Sequence, residues 1–140
     1  MRHINPSGYV YYDNEAELCQ ELEKYFFSNF FNTYDNWKPI EGITKEVWLD
    51  KKNRIDYVGD RSDKPCFVEV KNWWITYKNI KQIMRYFKFV EKTGFLKYYV
   101  ICGGIDNDKK EFLEQKCECI QFIITKDIKE INSMELVHWM

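Results

Sequence analysis

The order of the helices and strands predicted along this chain constrains its fold more than any other feature. A first helix, starting after Asp13 or Asn14 and reaching about residue 31, is indicated by apolar residues at helical spacing. Three short extended segments follow it, at residues 43–49, 54–58 and 66–71. Turn-forming residues at 60–65 separate the last two segments, so they are predicted to form a hairpin.

The second half of the chain alternates between helices and strands. The predicted elements there are a helix at 78–92 ended by Gly94, a buried strand at 98–102, a polar helix at 108–115, a strand at 120–125 and a last strand near Leu136. The whole order, αβββαβαβ, predicts an α/β fold in which helices pack against a mixed central β-sheet.

The composition supports one folded unit. Of the 140 residues, 45% are hydrophobic and 18% are aromatic, which supplies enough apolar surface for a sizeable core. No internal repeat, low-complexity tract or linker divides the sequence. We therefore expect a single domain that covers residues 1–140.

The overall charge excludes a globally basic nucleic-acid binder. The 21 basic residues are balanced by 22 acidic ones, so any nucleic acid must be bound by a local basic patch. No apolar N-terminal stretch resembles a signal peptide, and no run approaches the roughly 20 apolar residues of a membrane-spanning helix. We expect a cytoplasmic protein that does not bind a membrane.

The five cysteines are scattered among apolar residues, and their odd number favours free thiols in a reducing cytosol. A zinc site built from Cys102, Cys117, Cys119 and His138 is the alternative. Their spacing matches no common zinc pattern, whereas buried thiols are ordinary core residues. Core packing is therefore the favoured role.

Two acids are predicted to face each other in the hairpin. If Ser62 and Asp63 form a two-residue turn, the register places Asp56 directly opposite Glu69. Directly opposed side chains have Cβ atoms about 5 Å apart, where two negative charges repel. A divalent cation between the carboxylates would offset that repulsion, and hard oxygen ligands suit Mg²⁺ or Mn²⁺.

A lysine is predicted on the same patch. Lys71 lies two residues after Glu69 and so projects from the same face of the strand. Its ammonium group could position a water or neutralise charge that develops on a phosphate. The alternative is a solvated sheet face with cross-strand ion pairs, which is the usual meaning of polar alternation in a strand.

The first helix contributes a candidate acid. On a helical wheel Glu15 falls within the arc of the apolar residues, whereas Glu17, Glu21 and Glu23 fall outside it. A lone acid on a buried stripe needs a partner, and a metal site beside the sheet would provide one. The alternative is that Glu15 interacts with the helix dipole in the first turn and reaches solvent.

The second helix carries both polar and basic candidates. Gln82 and Tyr86 lie one turn apart and could orient a ligand beside the same patch. The segment around this helix is rich in basic residues and interleaved with aromatic ones, which could contact phosphates and unpaired bases. The candidates for nucleic-acid binding are Lys78, Lys81, Arg85, Trp73 and Trp74. The alternatives are a solvated lysine face and tryptophans in a core or dimer interface.

These residues together resemble the PD-(D/E)XK nucleases, especially the RecB-like enzymes and archaeal Holliday-junction resolvases. Residues 54–59 and 67–71 are similar to the family's split Asp and Glu-x-Lys motif on adjacent strands. Residues 15–18 resemble its first-helix acid, and residues 82–86 resemble the Gln-x-x-x-Tyr motif of the RecB-like branch. The similarity spans about residues 15 to 102, although no proline precedes Asp56.

The resemblance implies a restriction-endonuclease-like core and Mg²⁺- or Mn²⁺-dependent hydrolysis of phosphodiester bonds. Asp56 and Glu69 would bind one or two ions, together with the Val70 carbonyl and Glu15, and Lys71 would assist the attacking water. Gln82 and Tyr86 would position the strand that is cut. Glu46 also resembles an acid of this branch, so either Glu15 or Glu46 could complete the site.

The implied substrate is nucleic acid, with DNA favoured over RNA. The roles open to such an enzyme are repair, junction processing, phage or mobile-element functions, defence and toxicity. A homodimer or a partner protein is expected, since one site cuts one strand. The alternative is a non-catalytic module that binds nucleic acid or protein through Trp73, Trp74 and the basic helix. The presence of Asp56, Glu69 and Lys71 favours the nuclease.

Overall fold

The computed structural model describes residues 1–26, 41–61, 64–95, 97–128 and 131. Its strands are β1 (Arg2–Ile4), β2 (Val10–Tyr12), β3 (Glu41–Trp48), β4 (Arg54–Arg61), β5 (Lys64–Val70), β6 (Lys97–Cys102) and β7 (Ile120–Ile124). Its helices are α1 (Glu15–Glu21), α2 (Tyr77–Val90) and α3 (Asn107–Lys116). A π-helical turn, Leu22–Phe26, continues α1, and 3₁₀ turns follow α2 at Glu91–Thr93 and β7 at Thr125–Asp127.

Strands β3 to β7 form one five-stranded sheet in chain order. The pairs β3–β4 and β4–β5 are antiparallel, and the pairs β5–β6 and β6–β7 are parallel. Parallel neighbours need a crossover connection, which α2 and α3 supply. Strands β1 and β2 form a separate antiparallel hairpin before α1. The mixed sheet and its helices confirm the predicted α/β class.

The helices cover both faces of the sheet. On one face, α1 and its π-helical turn bury Leu18 and Leu22 against a cluster that includes Val68 and Tyr99. The opposite face packs against α2 and α3, and the side chains that these helices bury there are Ile80, Ile83, Tyr86, Phe87, Val90 and Leu113. Each large apolar side chain buried in this way stabilises the fold by about 1.5–3 kcal/mol.

Local signals fix where the helices begin and end. The Asn14 side chain accepts a hydrogen bond of 2.9 Å from the Glu17 N–H, which selects Asn14 rather than Asp13 as the N-cap of α1. Thr76 and Asn79 form a capping box at the start of α2. Gly94, with φ of 66°, adopts the left-handed conformation that ends the turn after α2. Within the described ranges, no helix has the length and apolar character needed to cross a bilayer.

The predicted elements agree with these bounds, with two exceptions. The hairpin of β1 and β2 was not predicted, because each strand has only three residues and lacks an alternating apolar pattern. The far end of the first helix and the strand near Leu136 lie outside the described residues. The predicted turn residues Ser62 and Asp63 lie outside the described residues. Arg61 and Lys64, on either side of them, are paired, so β4 and β5 have the predicted register.

All five cysteines carry free thiols. Cys66, Cys102 and Cys117 are buried and Cys119 is exposed. Burial raises the pKa of the Cys102 thiol to about 12 and that of the Cys117 thiol to about 11. Both thiols are therefore uncharged at neutral pH, which suits core packing. His138, the fourth residue of the alternative zinc site, lies outside the described residues.

The segment after β5 is hydrogen-bonded to the two glycines that follow β6. The Gly103 N–H donates to the Trp73 carbonyl at 3.0 Å, and the Ile75 N–H donates to the Gly104 carbonyl at 3.0 Å. This close approach depends on the two glycines, since a Cβ at Gly104 would lie within 2.8 Å of ring carbons of Trp74. The segment 71–75 is thereby held against the sheet.

We expect Gly104→Ala to destabilise the protein by about 1–3 kcal/mol, because the added methyl group must displace the Trp74 ring or the backbone. Urea unfolding followed by circular dichroism measures the change. Gly94→Asn is the control, since no atom lies within 4 Å of a Cβ there and Asn tolerates the left-handed conformation. Equal stability of the two variants would contradict this role for Gly104.

Candidate active site

Asp56 and Glu69 lie where β4 and β5 separate. The last paired residues of this ladder are Tyr57 and Val68. Beyond them, carboxylate oxygens replace the backbone carbonyls as acceptors. Asp56 Oδ2 accepts from the Val70 N–H at 2.7 Å, and Glu69 Oε1 accepts from the Asp56 N–H at 3.3 Å. Each carboxylate therefore accepts a hydrogen bond from the backbone of the opposite strand. These two bonds hold both acids at the point where β4 and β5 separate.

Glu69 is a buried acid, with only 2% of its surface exposed. Burial raises the pKa of Glu69 well above its usual range, and a hydrogen bond to the Asp56 carboxyl and the negative charge of Asp56 raise it further. The positive charge of Lys71 partly opposes the rise. Glu69 therefore tends to keep its proton at pH values at which an exposed glutamate would have lost it.

Lys71 completes the cluster from the end of β5. Its Nζ lies 4.0 Å from Glu69 Oε2 and donates to Gln82 Oε1 at 2.5 Å. Gln82 Nε2 in turn donates to the Tyr86 hydroxyl at 3.0 Å. Tyr86 is buried and only 16% of the Lys71 side chain is exposed, so this chain of hydrogen bonds fixes the direction of the ammonium group. The Lys71 backbone N–H is also held, by the Ile101 carbonyl at 2.8 Å.

Glu15 approaches the cluster from the start of α1. Leu18 and Leu22 of the same helical stripe are fully buried, whereas Glu15, in the first turn, is exposed. Partial burial still raises the pKa of Glu15; the positive charge of Lys71 lowers it and the negative charge of Asp56 adds to the rise. Glu15 therefore lies close enough to Lys71 and Asp56 to interact electrostatically with both.

A cavity of about 360 Å³ brings the predicted residues together. It is lined by Glu15, Asp56, Glu69, Lys71, Gln82 and Tyr86, and also by Trp48, Lys52 and Arg54. A neighbouring groove of about 500 Å³ shares Glu15, Arg54 and Asp56 and adds Glu46. The cluster is thus open to a ligand, although Glu69 itself is buried.

Glu46 occupies a different position from Glu15. The register of β3 and β4 places it opposite Asp56, but its φ of 52° departs from extended backbone. Its Oε2 lies 3.8 Å from Arg54 Nη1, and its side chain is exposed. Glu15 lines the cavity that contains Lys71, whereas Glu46 lines the neighbouring groove.

The carboxylate pair fits a hard divalent cation. Asp56 and Glu69 each use one oxygen for a backbone N–H, which leaves the second oxygen of each carboxylate available to a cation. Among the residues that the structure describes, no three acidic, histidine or cysteine side chains are close enough to enclose an ion. An ion at this pair would therefore take its remaining ligands from water, backbone or substrate oxygens, as Mg²⁺ usually does.

The residues predicted to bind nucleic acid differ in their exposure and in their contacts. Lys78 and Lys81 are exposed on α2, outside the described lining of the cavity. Arg85 is exposed and its Nε donates to Asn53 Oδ1 at 2.8 Å. Trp73 is 39% exposed and packs edge-on against Tyr11, whereas Trp74 is half-buried against Gly104. Both tryptophans therefore contribute to packing, and Trp73 keeps an accessible edge.

Asn72 makes a contact near the cluster that the sequence did not reveal. Its Oδ1 accepts from the Tyr12 N–H at 2.7 Å, and its Nδ2 donates to the Tyr12 carbonyl at 2.6 Å. This amide pair joins the residue after Lys71 to the strand that precedes Glu15. The signal in the sequence is slight, an Asn at a strand end, because its partner lies 60 residues away.

Comparisons with known proteins find similarity at the level of structure. No known protein-family profile and no curated protein sequence matches the chain. A repair endonuclease from Pyrococcus abyssi superposes with a TM-score of 0.57 and 21% identity, over 81% of this chain and 47% of that one. EndoMS in its apo form gives 0.51 and 15% identity over 79% and 45% of the two chains, and a complex of EndoMS with double-stranded DNA gives 0.50 and 17% over 79% and 44%.

Similarity at this level of identity shows that the chain and these structures share a fold. The chain therefore has the restriction-endonuclease-like fold, which confirms the fold expected from the sequence resemblance. It spans less than half the length of each of these structures.

Proposed function

We propose that this chain is a metal-dependent nuclease that hydrolyses phosphodiester bonds in DNA, with Asp56, Glu69 and Lys71 at its active site. The observation that carries the proposal is the convergence of two opposed acids and a directed ammonium group at the separating ends of β4 and β5. A structural ion pair needs only Lys71 and one acid. Placing Asp56 beside the buried Glu69 adds repulsion between two negative charges, which a purely structural role would not require.

The residues of the cluster would have separate roles in metal binding, in activation of the reacting groups and in positioning of Lys71. Asp56 and Glu69, with the Val70 carbonyl, would hold Mg²⁺ or Mn²⁺, which when bound makes water a stronger nucleophile and stabilises charge on a phosphate. Glu15, which lines the same cavity but forms no three-acid cluster with the pair, would act on the ion through a bound water. Lys71 would donate a hydrogen bond to the attacking water or to a non-bridging phosphate oxygen. Gln82 and Tyr86 would keep the Lys71 ammonium group aimed into the cavity.

The comparisons support DNA over RNA, since the similar structures are a repair endonuclease and EndoMS, and one of them contains double-stranded DNA. A role in DNA repair is accordingly favoured over the other roles open to this fold. One such site cuts one strand. Cutting both strands of a duplex would therefore require a homodimer, a partner protein or two successive events.

A substrate panel tests this function. The protein is incubated with labelled single-stranded, duplex and branched DNA and with RNA, in Mg²⁺, Mn²⁺ or chelator. We expect cleavage of at least one DNA in Mg²⁺ or Mn²⁺ and none in chelator. Cleavage that persists in chelator would contradict the metal-dependent mechanism. Tight binding with no cleavage under any condition would instead support a non-catalytic module.

A further inference from the structure

The rim of the cavity carries an exposed aromatic side chain beside the proposed active site. Trp48, at the end of β3, is 61% exposed although it is among the largest apolar side chains. It is paired in register with Arg54 at the start of β4, and the Arg54 guanidinium lies 5.3 Å from the centre of its ring. Both residues line the cavity that contains Asp56, Glu69 and Lys71.

The turn that presents this pair is held firmly. Asp50 Oδ1 accepts from the Lys52 N–H at 2.8 Å and from the Asn53 N–H at 2.7 Å. Asn53 is buried, and its Oδ1 accepts from Arg85 Nε of α2 at 2.8 Å. The hairpin tip is therefore anchored to the helix that also positions Lys71. Because this turn is already ordered, little backbone entropy is lost when a ligand binds beside it.

The charges around Trp48 suit a phosphate backbone. Lys52 and Arg54 line the same cavity as the acidic cluster, and Arg85 lies just behind the turn. A nucleic-acid strand that approaches Asp56 and Glu69 meets negative charge, which cations at the rim offset. Arg54 and Asp56 are two residues apart on β4, about 7 Å along the strand. A phosphate beside Arg54 would thus neighbour one beside the acids.

An aromatic ring in this position suits an unpaired base. Base-to-aromatic stacking is independent of sequence, and it requires a base that has left the duplex stack. Arg54 over the ring still leaves most of the residue accessible. A bare phosphate-binding rim would need the cations but not the tryptophan.

We propose that Trp48, Arg54 and Lys52 form a binding site for an unpaired nucleotide next to the scissile phosphate, so that the preferred DNA has a single-stranded, gapped or branched segment there. This inference rests on the proposed nuclease function and extends it to the substrate class. Trp48 stacks on the base, and Arg54 and Lys52 contact the flanking phosphates.

The test compares affinities by fluorescence anisotropy, with Ca²⁺ in place of Mg²⁺, for a labelled single strand, a gapped duplex and a blunt duplex. We expect Trp48→Ala to weaken binding of the single strand and the gapped duplex about tenfold, and binding of the blunt duplex less than twofold. Trp48→Phe should restore most of the loss, because it keeps a ring. Phe112→Ala is the matched control, since Phe112 is also exposed with a cation, Lys116, 5.9 Å from its ring.

Equal affinity of Trp48→Ala and the unchanged protein for the single strand would overturn the inference, as would an equal loss for every DNA. A Trp48→Ala variant that changes oligomeric state in sedimentation while binding DNA normally would assign the ring to self-association, which also overturns it. Cleavage is followed separately with the unchanged protein. Failure to cut any DNA would refute the nuclease proposal, whereas a cutting enzyme indifferent to Trp48 would refute only this inference.

Discussion

Replacing Lys71 by methionine is expected to lower the cleavage rate by about 10²–10⁴-fold while leaving the fold intact. Methionine keeps most of the length and the apolar stem of lysine but loses the ammonium group that contacts Gln82 and lies 4.0 Å from Glu69. The expected loss appears in the rate of a single turnover at saturating enzyme, because the ammonium group acts on the reacting phosphate or water rather than on distant parts of the DNA.

Lys88→Met serves as the matched control for Lys71→Met. Lys88 is exposed on the same helix as Gln82 and lies outside the described lining of the cavity, so its loss removes a positive charge without touching the cluster. We expect its cleavage rate to stay within about twofold of the unchanged protein. Comparable rates for Lys71→Met and the unchanged protein would exclude a catalytic part for Lys71.

The second large effect concerns stability. In chelator at pH 8, Glu69→Gln is expected to unfold at a temperature roughly 3–6 °C higher than the unchanged protein. A glutamine at this position can still accept from the Asp56 N–H, and its amide N–H₂ group can donate to the Asp56 carboxylate as a protonated carboxyl group would. It removes the cost of a second negative charge in a site that is 2% exposed.

The pH dependence follows from the direction of the Glu69 pKa shift. The folded protein holds a proton on Glu69 at pH values where the unfolded chain, with a pKa near the ordinary 4.5, has lost it. Between that value and the raised folded pKa, the folded state binds more protons, so stability falls as pH rises. This contribution should disappear in Glu69→Gln. The advantage of the variant is therefore expected to be larger at pH 8 than at pH 5.

In Mg²⁺ we expect the unchanged protein to have a higher melting temperature than Glu69→Gln. A cation bound by Asp56 and Glu69 stabilises only the folded state, so it should raise the melting temperature of the unchanged protein more than that of Glu69→Gln. Thermal unfolding followed by circular dichroism measures both effects, with exposed Glu111→Gln on α3 as the control. If Glu69→Gln were less stable than the unchanged protein in chelator at pH 8, the prediction would be wrong. That result would mean that neighbouring groups already compensate the charge of Glu69.

The sequence predicted those parts of the molecule that depend on local patterns. The turn residues between β4 and β5 were enough to predict the register that brings Asp56 opposite Glu69, and the i, i+2 rule placed Lys71 on their face. The spacing of Gln82 and Tyr86 predicted that they share a helix face, and both line the cavity.

Other parts depend on contacts between distant segments. The separation of β4 and β5, which lets carboxylates replace carbonyls as acceptors, leaves no trace in either strand alone. The β1–β2 hairpin is tied to the rest of the chain by Asn72, 60 residues from its partner Tyr12. Trp48 and Arg54 follow an ordinary strand pattern, and only the shape of the cavity reveals that they form its rim.

The exposure of Glu15 shows the limit of helical-wheel reasoning. The wheel groups Glu15 with Leu18 and Leu22, and both leucines are fully buried. The first turn of α1 lies beyond the buried stretch, so Glu15 is exposed and lines the cavity rather than the core. Angular position predicted the side of the helix, whereas burial depended on where the helix ends relative to the sheet.

Metal-dependent catalysis at Asp56 and Glu69 is tested by the time course of DNA cleavage by the unchanged protein and by Asp56→Asn, purified identically, in Mg²⁺ and in chelator. Asparagine keeps an oxygen that can accept from the Val70 N–H but removes the negative charge that would hold the ion. We expect Mg²⁺-dependent cleavage by the unchanged protein and a loss of at least about 10³-fold in Asp56→Asn. Equal cleavage by the two proteins, or cleavage unaffected by chelator, would contradict this expectation.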